Sequence, residues 1–134
     1  MTLDVAIAVL LTFSAACYLL LGLRLIASKR EVGSRPIGVL FIVISFWVMG
    51  GGVELLSTSF EMFSIGRTGH FVGTSLVPIV AYVCFREYTG AETSASRLAV
   101  LLIMPAISIS LAATNHLHEL MWYGPFVNEF GEYL

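Results

Sequence analysis

The sequence predicts an all-α fold: a polytopic membrane helical bundle of four transmembrane helices with an interfacial C-terminal segment. The chain has 134 residues, of which 57% are hydrophobic and 12% are charged, about half the charge of a soluble domain. Its mean hydropathy is +0.89. Four apolar runs each reach or approach the ~20 residues that a helix needs to cross a bilayer. They form one membrane domain, 1–134, with helices at about 3–27, 36–56, 69–86 and 97–118.

The first helix is expected to be retained rather than cleaved as a signal peptide. No basic residue precedes its apolar run, and the run is longer than the short core of a signal peptide. It contains Cys17, and Cys84 lies in the third helix. Two cysteines in apolar helices do not make a disulfide framework, so both are expected to be free thiols.

Glycine and proline mark special positions in the other helices. The glycine triplet at 50–52 weakens the second helix locally and lets a neighbouring helix approach closely. Gly69 and Gly73 give the third helix a GxxxG spacing that can seat a partner backbone. Pro78 in the third helix and Pro105 in the fourth each remove a backbone donor, and both are candidate kinks or hinges.

The basic residues predict the orientation. Six of the seven lie around the first and third connectors, and only Arg67 lies in the second. The positive-inside rule places the crowded connectors in the cytoplasm and the N-terminus outside. We therefore expect a multi-pass protein of a prokaryotic cytoplasmic (inner) membrane, partnered by the lipid bilayer. The aromatic tail, 119–134, is expected at the outer interface. A net charge of −2 without a basic patch argues against nucleic acid as a partner.

The candidate ligand-binding residues lie near the outer ends of the second, third and fourth helices. Ionisable groups in a membrane domain are costly and by default indicate a functional site. Polar residues from Asn115 to Trp122 follow one another at steps of three or four and would share one helical face. His116 points about 200° away from His118 on a regular helix, so it is excluded from that face. The candidate set is Glu54, His70, Asn115, His118 and Trp122.

Other uses of these polar groups remain open at the level of sequence. The Glu54 carboxylate can accept a proton from one imidazole, or it can reach outward to water. Glu119 and His116 can simply contact water and lipid headgroups. The sequence lacks the i, i+4 histidine pair of a catalytic zinc site, so no metal is expected. Haem held between His70 and His118 is an alternative.

A family resemblance is carried by the end of the fourth helix. The stretch 114–122 reads TNHLHELMW and resembles the TNxxHxLxW signature of the N-terminal seven-helix region of membrane histidine kinases. The same module resembles the sensory input of some diguanylate cyclases and phosphatases. The second helix also resembles the family's W…E pattern, and 78–90 resembles its Pro…YTG stretch. The resemblance covers essentially the whole chain. The matching residues are Trp47, Glu54, Pro78, Tyr88, Thr89, Gly90, Pro105, Thr114, Asn115, His118 and Trp122.

The resemblance implies a membrane-embedded sensory input module of histidine kinase or diguanylate cyclase type. Together with the polar residues at the outer ends of the helices, it leads to our hypothesis that the module senses a small ligand near the outer face. The family has seven helices and this chain has four, so the expected partners are the remaining helices or a cytoplasmic effector domain. They would belong to a longer protein or to a separate chain, and a homodimer is a further option. The sequence has no kinase, ATP-binding or GGDEF-type motif, so no catalysis and no cofactor are expected.

Three other functions are compatible with the sequence. The runner-up is a small redox membrane subunit that binds quinone or haem through His70, His118 and aromatic side chains. A transporter fragment is less favoured, because its polar groups would lie at the midplane rather than at the outer edge. The last of the three functions is that of a non-catalytic assembly subunit of a membrane complex.

Overall fold

The computed structural model describes residues 3–28 and 33–122. Its helices are α1 (Leu3–Ala27), α2 (Ser34–Leu55), α3 (Phe60–Tyr88), α4 (Ala95–Ala113) and the short α5 (Asn115–His118), and the described ranges hold no strand. The first four helices are long and apolar enough to cross a membrane. The predicted all-α membrane bundle is thus confirmed, whereas residues 123–134 of the predicted interfacial tail lie outside the described residues.

Each long helix packs on its neighbour in sequence: α1 on α2, α2 on α3, and α3 on α4. Many large apolar side chains point away from these interfaces; Leu10, Phe13 and Met104, for example, are each more than 60% exposed. Such surfaces suit helices surrounded by lipid, where every backbone polar group is satisfied within its own helix. Cys17 and Cys84 are free thiols.

Small residues spaced seven positions apart on each helix form the interface between α1 and α2. A Cβ added to Gly22 would lie 2.7 Å from the carbonyl oxygen of Gly38, so the two backbones are in direct contact there. Farther along the interface, the buried Ser45 hydroxyl donates a hydrogen bond of 2.8 Å to the carbonyl oxygen of Ala15. Close backbone contact and hydrogen bonds are the forces that hold helices together in lipid. The matched pairs are Gly22 with Gly38, Ala15 with Ser45, and Ala8 with Gly52.

Glycines also bring α2 and α3 into backbone contact. A Cβ on Gly50 would lie 2.4 Å from the backbone nitrogen of His70, and one on Gly66 would lie 2.7 Å from the backbone nitrogen of Glu54. No side chain larger than hydrogen fits these positions without moving a helix. The matched antiparallel pairs are Trp47 with Gly73, Gly50 with His70, and Glu54 with Gly66.

The predicted Gly50–Gly52 triplet faces three directions. Gly50 faces α3, whereas a Cβ on Gly52 would meet α1, 3.6 Å from the Cβ of Leu11. A Cβ on Gly51 would lie 3.7 Å from Nδ1 of His70, in a groove between these two interfaces. This division follows from the ~100° rotation per residue of an α-helix. In the predicted GxxxG pair only Gly73 is tightly packed, since a Cβ on Gly69 would be 3.6 Å from its nearest neighbour.

α3 begins at Phe60, well before the predicted start at residue 69. The Ser59 side chain caps the helix by accepting a hydrogen bond of 3.2 Å from the backbone nitrogen of Met62. Polar residues in this first part of the helix interrupt the apolar run, which is why the sequence pattern missed it. As a result Arg67 lies inside α3 rather than in a connector.

α4 ends at Ala113 instead of continuing to the predicted residue 118. Thr114 and Asn115 carry side chains that compete with the backbone hydrogen bonds of a helix. The one-turn α5 follows, and Glu119 ends it with a φ of 53°. The predicted single face from Asn115 to Trp122 is therefore wrong, because no regular helix continues through Glu119.

α3 ends in a Schellman motif at the Tyr-Thr-Gly sequence. Gly90 has a φ of +68°, its nitrogen donates to the carbonyl of Glu87 at 3.1 Å, and the nitrogen of Ala91 donates to that of Arg86 at 2.9 Å. The Thr89 hydroxyl donates to a further carbonyl in the last turn of α3. The motif stops the helix and turns the chain toward α4.

Gly73→Ala is expected to destabilise the fold by about 1–3 kcal/mol, the usual cost of overpacking. The new Cβ would lie 2.4–2.7 Å from three atoms of Trp47, including its backbone nitrogen and Cα. Gly69→Ala is the matched control and is expected to change little. Unfolding of the purified protein by SDS, followed by circular dichroism, measures both. Equal stability of the two variants would contradict the close approach at Gly73.

Gly90→Ala is expected to cost about 1 kcal/mol, because alanine is strained at positive φ. The described residues place no atom within 4 Å of a Cβ at this position, so the cost would be purely one of backbone conformation. Gly90→Asn is the control, since asparagine adopts this conformation more readily. In the same SDS titration the stability should fall from wild type to Gly90→Asn and further to Gly90→Ala. An alanine variant as stable as wild type would contradict the positive φ at position 90.

Candidate functional site

All five candidate residues lie at the end of the bundle where α2 ends and α3 begins. A short stretch of α3, residues 67–71, connects the elements that carry them. Arg67 and His70 contact α2, and Phe71 contacts the chain beyond α5. We refer to residues 67–71 as the junction segment. Whether the candidates bind a ligand stays a prediction.

Glu54 forms an ion pair with Arg67 of the junction segment. Arg67 Nη1 lies 2.7 Å from Glu54 Oε1, and the two side chains are only 36% and 20% exposed. The Arg67 guanidinium also lies over the Phe63 ring, 5.2 Å from its centroid, a cation–π contact. The sequence interpretation that Glu54 pairs with an imidazole is therefore wrong. The carboxylate has an arginine partner instead, which neutralises both charges at this end of the membrane domain.

His70 is bonded to Trp47 across the α2–α3 interface. Trp47 Nε1 lies 3.0 Å from His70 Nε2, and the two rings meet edge to face. An indole nitrogen is always a donor, so His70 Nε2 must be the acceptor and carries no proton. In the neutral ring the proton is then on Nδ1. That Nδ1 atom is buried and has no hydrogen-bond partner among the described residues.

A groove of about 240 Å³ opens beside His70. It is lined by Leu11 of α1, by Trp47, Val48 and Gly51 of α2, and by His70 itself. Its walls are otherwise apolar, and it lies between α1 and α3, which do not pack on each other within the described helices.

Asn115 organises the turn formed by residues 114–122, which we call the Asn115 turn. Its side chain is 1% exposed. Asn115 Oδ1 accepts hydrogen bonds from the backbone nitrogens of Met121 at 2.8 Å and of Trp122 at 3.4 Å. Asn115 Nδ2 donates to the Trp122 carbonyl at 2.9 Å. These bonds satisfy half-buried backbone groups of Met121 and Trp122 where the helix has ended.

His118 supports the same turn through both ring nitrogens. His118 Nε2 lies 3.0 Å from the Thr114 hydroxyl, and its Nδ1 accepts a hydrogen bond of 3.1 Å from the backbone nitrogen of Leu120. Thr114, Asn115 and His118, three polar residues of the TNxxHxLxW signature, therefore hold one turn together. His116 is exposed and makes no such bond in the described part of the chain.

The Asn115 turn contacts α3 through an aromatic pair. The rings of Trp122 and Phe71 are stacked with centroids 5.8 Å apart. Trp122 Nε1 is buried and, like His70 Nδ1, has no partner among the residues that the structure describes. Because Phe71 follows His70 directly, the turn and α2 contact neighbouring positions of the same helix.

Sequence reasoning missed the partners of the candidate residues rather than the candidates. The sequence pattern places Arg67 in a connector. A signal for its pairing with Glu54 was nevertheless present, because one basic residue near the start of an apolar helix and one acidic residue near the end of the preceding helix predict an ion pair. Thr114 stands in the TNxxHxLxW signature but was not among the candidate residues, and Phe71 gave no signal beyond its residue type. The structure does not place the five candidates around one cavity: Glu54, His70 and the Asn115 turn each have separate protein partners.

The two candidate hinge prolines lie in helices that continue through them. Pro78 lines a second groove, of about 530 Å³, between α3 and α4, together with Tyr82, Arg97 and Leu101. This groove leaves the two helices loosely packed away from the Asn115 turn. A hinge function for Pro78 and Pro105 stays a prediction.

The described residues contain no group of three or more histidine, cysteine or acidic side chains arranged to hold a metal ion. A haem bound by His70 and His118 would require opening of the Asn115 turn, because both ring nitrogens of His118 already have partners in it.

Comparison with known proteins gives one match. The family model described as the N-terminal 7TM region of histidine kinase matches residues 5–133. No curated protein and no solved structure matches the chain.

Replacement of Asn115 by alanine is expected to destabilise the Asn115 turn by about 1–3 kcal/mol, because the half-buried backbone groups of Met121 and Trp122 lose their partners. In a Trp47→Phe background Trp122 is the one remaining tryptophan, so its emission should shift to the red as the indole becomes exposed. His116→Ala, at an exposed position, is the control. Unchanged Trp122 emission in the Asn115 variant would contradict this account of the turn.

Proposed function

We propose, from the premise that this chain belongs to the family of N-terminal 7TM regions of histidine kinase, that its input is a ligand recognised at the junction-segment end of the bundle. The match covers almost the whole chain and supports assignment to a membrane-embedded sensory module of histidine kinase type. A diguanylate cyclase output is the alternative. One observation carries the ligand-sensing proposal: residues 67–71 contact both α2 and the Asn115 turn.

In this mechanism a ligand shifts an equilibrium between two packings of the helices. A ligand can do so only if it binds one packing more tightly than the other. The contact of Trp122 with Phe71 couples the Asn115 turn to α3, so its gain or loss would move α4 relative to α3. The loosely packed groove at Pro78 leaves room for such a movement at the opposite end.

The orientation of the charges supports sensing at the outer face. Four basic residues, Arg24, Arg35, Arg86 and Arg97, lie at one end of the bundle, and in the sequence Lys29 and Arg30 stand between the first two of them. The seventh, Arg67, is neutralised by Glu54 at the other end. By the positive-inside rule this charge distribution favours an N-terminus and a junction segment outside, and a prokaryotic inner membrane is the membrane that we propose. The output domain would lie in the cytoplasm and receive the signal through the remaining helices of a seven-helix region.

The test of this function is autophosphorylation by the full-length protein that carries this region, reconstituted in liposomes. Phe71→Ala and Trp122→Ala remove the two sides of one contact, so each should shift the activity in the same direction. A coupling of 1–3 kcal/mol corresponds to a change of roughly fivefold or more. The double variant should shift the activity no further than either single one, because the contact can be lost only once.

The matched control is Ile65→Ala, on α3 but 70% exposed and outside the contact. It should leave the activity unchanged. If both aromatic variants fold and phosphorylate like wild type, the junction segment does not transmit a signal. If the full-length protein has no kinase activity but makes cyclic diguanylate, the alternative output holds.

A further inference from the structure

We propose that the ligand sensed at the junction segment is a proton, and that His70 is the residue that binds it. In its neutral form the His70 ring accepts a hydrogen bond from the Trp47 indole and links α3 to α2. Addition of a proton to that ring breaks the bond and removes the link. This inference rests on the proposed function, since it identifies the input that the same site recognises.

The proton and the Trp47 indole compete for one lone pair of His70. An indole nitrogen only donates, so His70 Nε2 accepts its hydrogen bond, with the two nitrogens 3.0 Å apart, and the ring's own proton is on Nδ1. A second proton can therefore be added only at Nε2. The resulting imidazolium donates from both nitrogens, and two donors then face each other where the hydrogen bond was.

Among the described residues, the imidazolium has no acceptor while the ring stays in its place. His70 Nδ1 is already buried without a hydrogen-bond partner there, and Trp47 is the partner of Nε2. The groove beside the ring presents apolar atoms of Leu11, Val48 and Gly51. A charge without hydrogen bonds in apolar surroundings is far more costly than a neutral ring. The proton therefore binds only after the ring has moved away from Trp47.

The charged groups closest to His70 along α2 and α3 are paired with each other. Glu54 is the one acid of α2, and Arg67, one turn before His70 on α3, lies 2.7 Å from it. The intact ion pair leaves no unpaired charge beside His70. The Glu54 carboxylate lies about one turn of α3 from His70, at the level of Gly66, and is the acid of the facing helix that a released imidazolium would meet.

Other titratable groups on the helices lie farther from the ring. α1 contributes Leu11 at this level, and its titratable residues are six or more positions, about 9 Å or more, away along the helix. On α3 the next ones beyond Arg67 are nine or more positions from His70. Arg35 of α2 and Arg97 of α4 lie at the opposite end of the bundle.

The Asn115 turn brings titratable side chains to the same end of the bundle, but they are engaged or exposed. Both ring nitrogens of His118 have partners within the turn. His116 and Glu119 are exposed. His70 is thus the group whose protonation decides the state of the Trp47 bond.

The bond lies close to the end of the membrane domain, where protons arrive from water. Gly50, which faces the His70 backbone, precedes the end of α2 at Leu55 by five residues, about 8 Å. Trp47 is 39% exposed, so the bonded pair lies at the surface of the bundle rather than in its core. In the proposed orientation this end faces outside, and the proton comes from the external medium.

Release of Trp47 reaches the Asn115 turn through the junction segment. Phe71 follows His70 directly, and its ring stacks on Trp122 with the centroids 5.8 Å apart. A ring that leaves α2 changes the packing of the segment that carries this stack. The proton binds the packing in which the Trp47 bond is open and not the one in which it is closed, which is the differential affinity that a signal requires.

The first experiment measures the output of the full-length protein in liposomes, as autophosphorylation or cyclic diguanylate synthesis. The pH is lowered from about 8 to about 5, the range in which imidazoles titrate, only on the side away from the output domain. The output should change roughly fivefold or more. His70→Gln keeps an acceptor oxygen for Trp47 but takes up no proton, so it should stay at the high-pH level of wild type. His70→Phe has no acceptor and should stay at the low-pH level.

Two further variants complete this series. Trp47→Phe removes the other side of the same bond and should behave like His70→Phe. His116→Ala removes an exposed imidazole outside the bond and should keep the full pH response of wild type. A pH response of His70→Gln equal to that of wild type would overturn the proposal.

The second experiment follows both sides of the bond by NMR and needs no folded variant at position 70. The protein is labelled with nitrogen-15 in histidine and tryptophan and reconstituted in bilayers. As the pH falls, His70 Nε2 should pass from the chemical shift of an unprotonated nitrogen to that of a protonated one. The Trp47 indole proton should move upfield with the same midpoint, because it loses its acceptor.

A His70 ring that stays neutral down to about pH 5, or a Trp47 indole proton that does not move when His70 is protonated, would overturn the proposal. The outcome is separate from that of the Phe71 and Trp122 variants. If those variants alter the output while it is independent of pH, the sensor remains and only the proton is excluded as its input. If they do not alter it, the junction segment fails as a transmitter whatever the NMR shows.

Discussion

The backbone contact between α2 and α3 is the constraint on which the rest of the site depends. Gly50, Gly66 and Gly73 let the two helices approach until added Cβ atoms would overlap the opposite backbone. Lipid offers little hydrophobic force between helices, so such close packing and the polar contacts across it provide most of the association. At this separation and register, Trp47 meets His70 and Glu54 meets Arg67. A shift by one residue would turn these side chains away from each other.

The polar contacts between α2 and α3 change from charged to neutral with distance from the helix ends. The Glu54–Arg67 pair, at 2.7 Å, lies nearest the helix ends, and the Trp47–His70 bond lies farther into the apolar part. Full charges are thus kept where water and headgroups are close, and the deeper contact uses neutral rings. The Asn115 turn is fixed separately by its own side chains and, among the described residues, meets α3 through the stacked rings of Trp122 and Phe71. In the proposed mechanism this contact makes the turn the movable part beside the tightly packed α2–α3 pair.

The helices themselves were predictable because the bilayer demands long apolar runs, and the family could be recognised from the TNxxHxLxW stretch. The matched register of Ala15 with Ser45 and of Gly50 with His70 could not be predicted, because many small residues compete for such contacts in one sequence. The start of α3 at Phe60 was hidden by polar residues before Gly69, and the end of α4 at Ala113 by apolar residues that continue past Thr114. The role of Asn115 as a buried support of its turn depends on the backbone after Glu119, which adopts a conformation no helical periodicity describes.

The hydrogen bond between Trp47 and His70 reports the α2–α3 contact most directly. In bilayers, protein labelled with nitrogen-15 in histidine and tryptophan would show magnetisation transfer from the Trp47 indole proton to His70 Nε2. The account predicts this transfer, with Nε2 at the chemical shift of an unprotonated imidazole nitrogen. A protonated Nε2 on His70, or no transfer in a protein that is otherwise folded, would contradict the arrangement of the two helices described above.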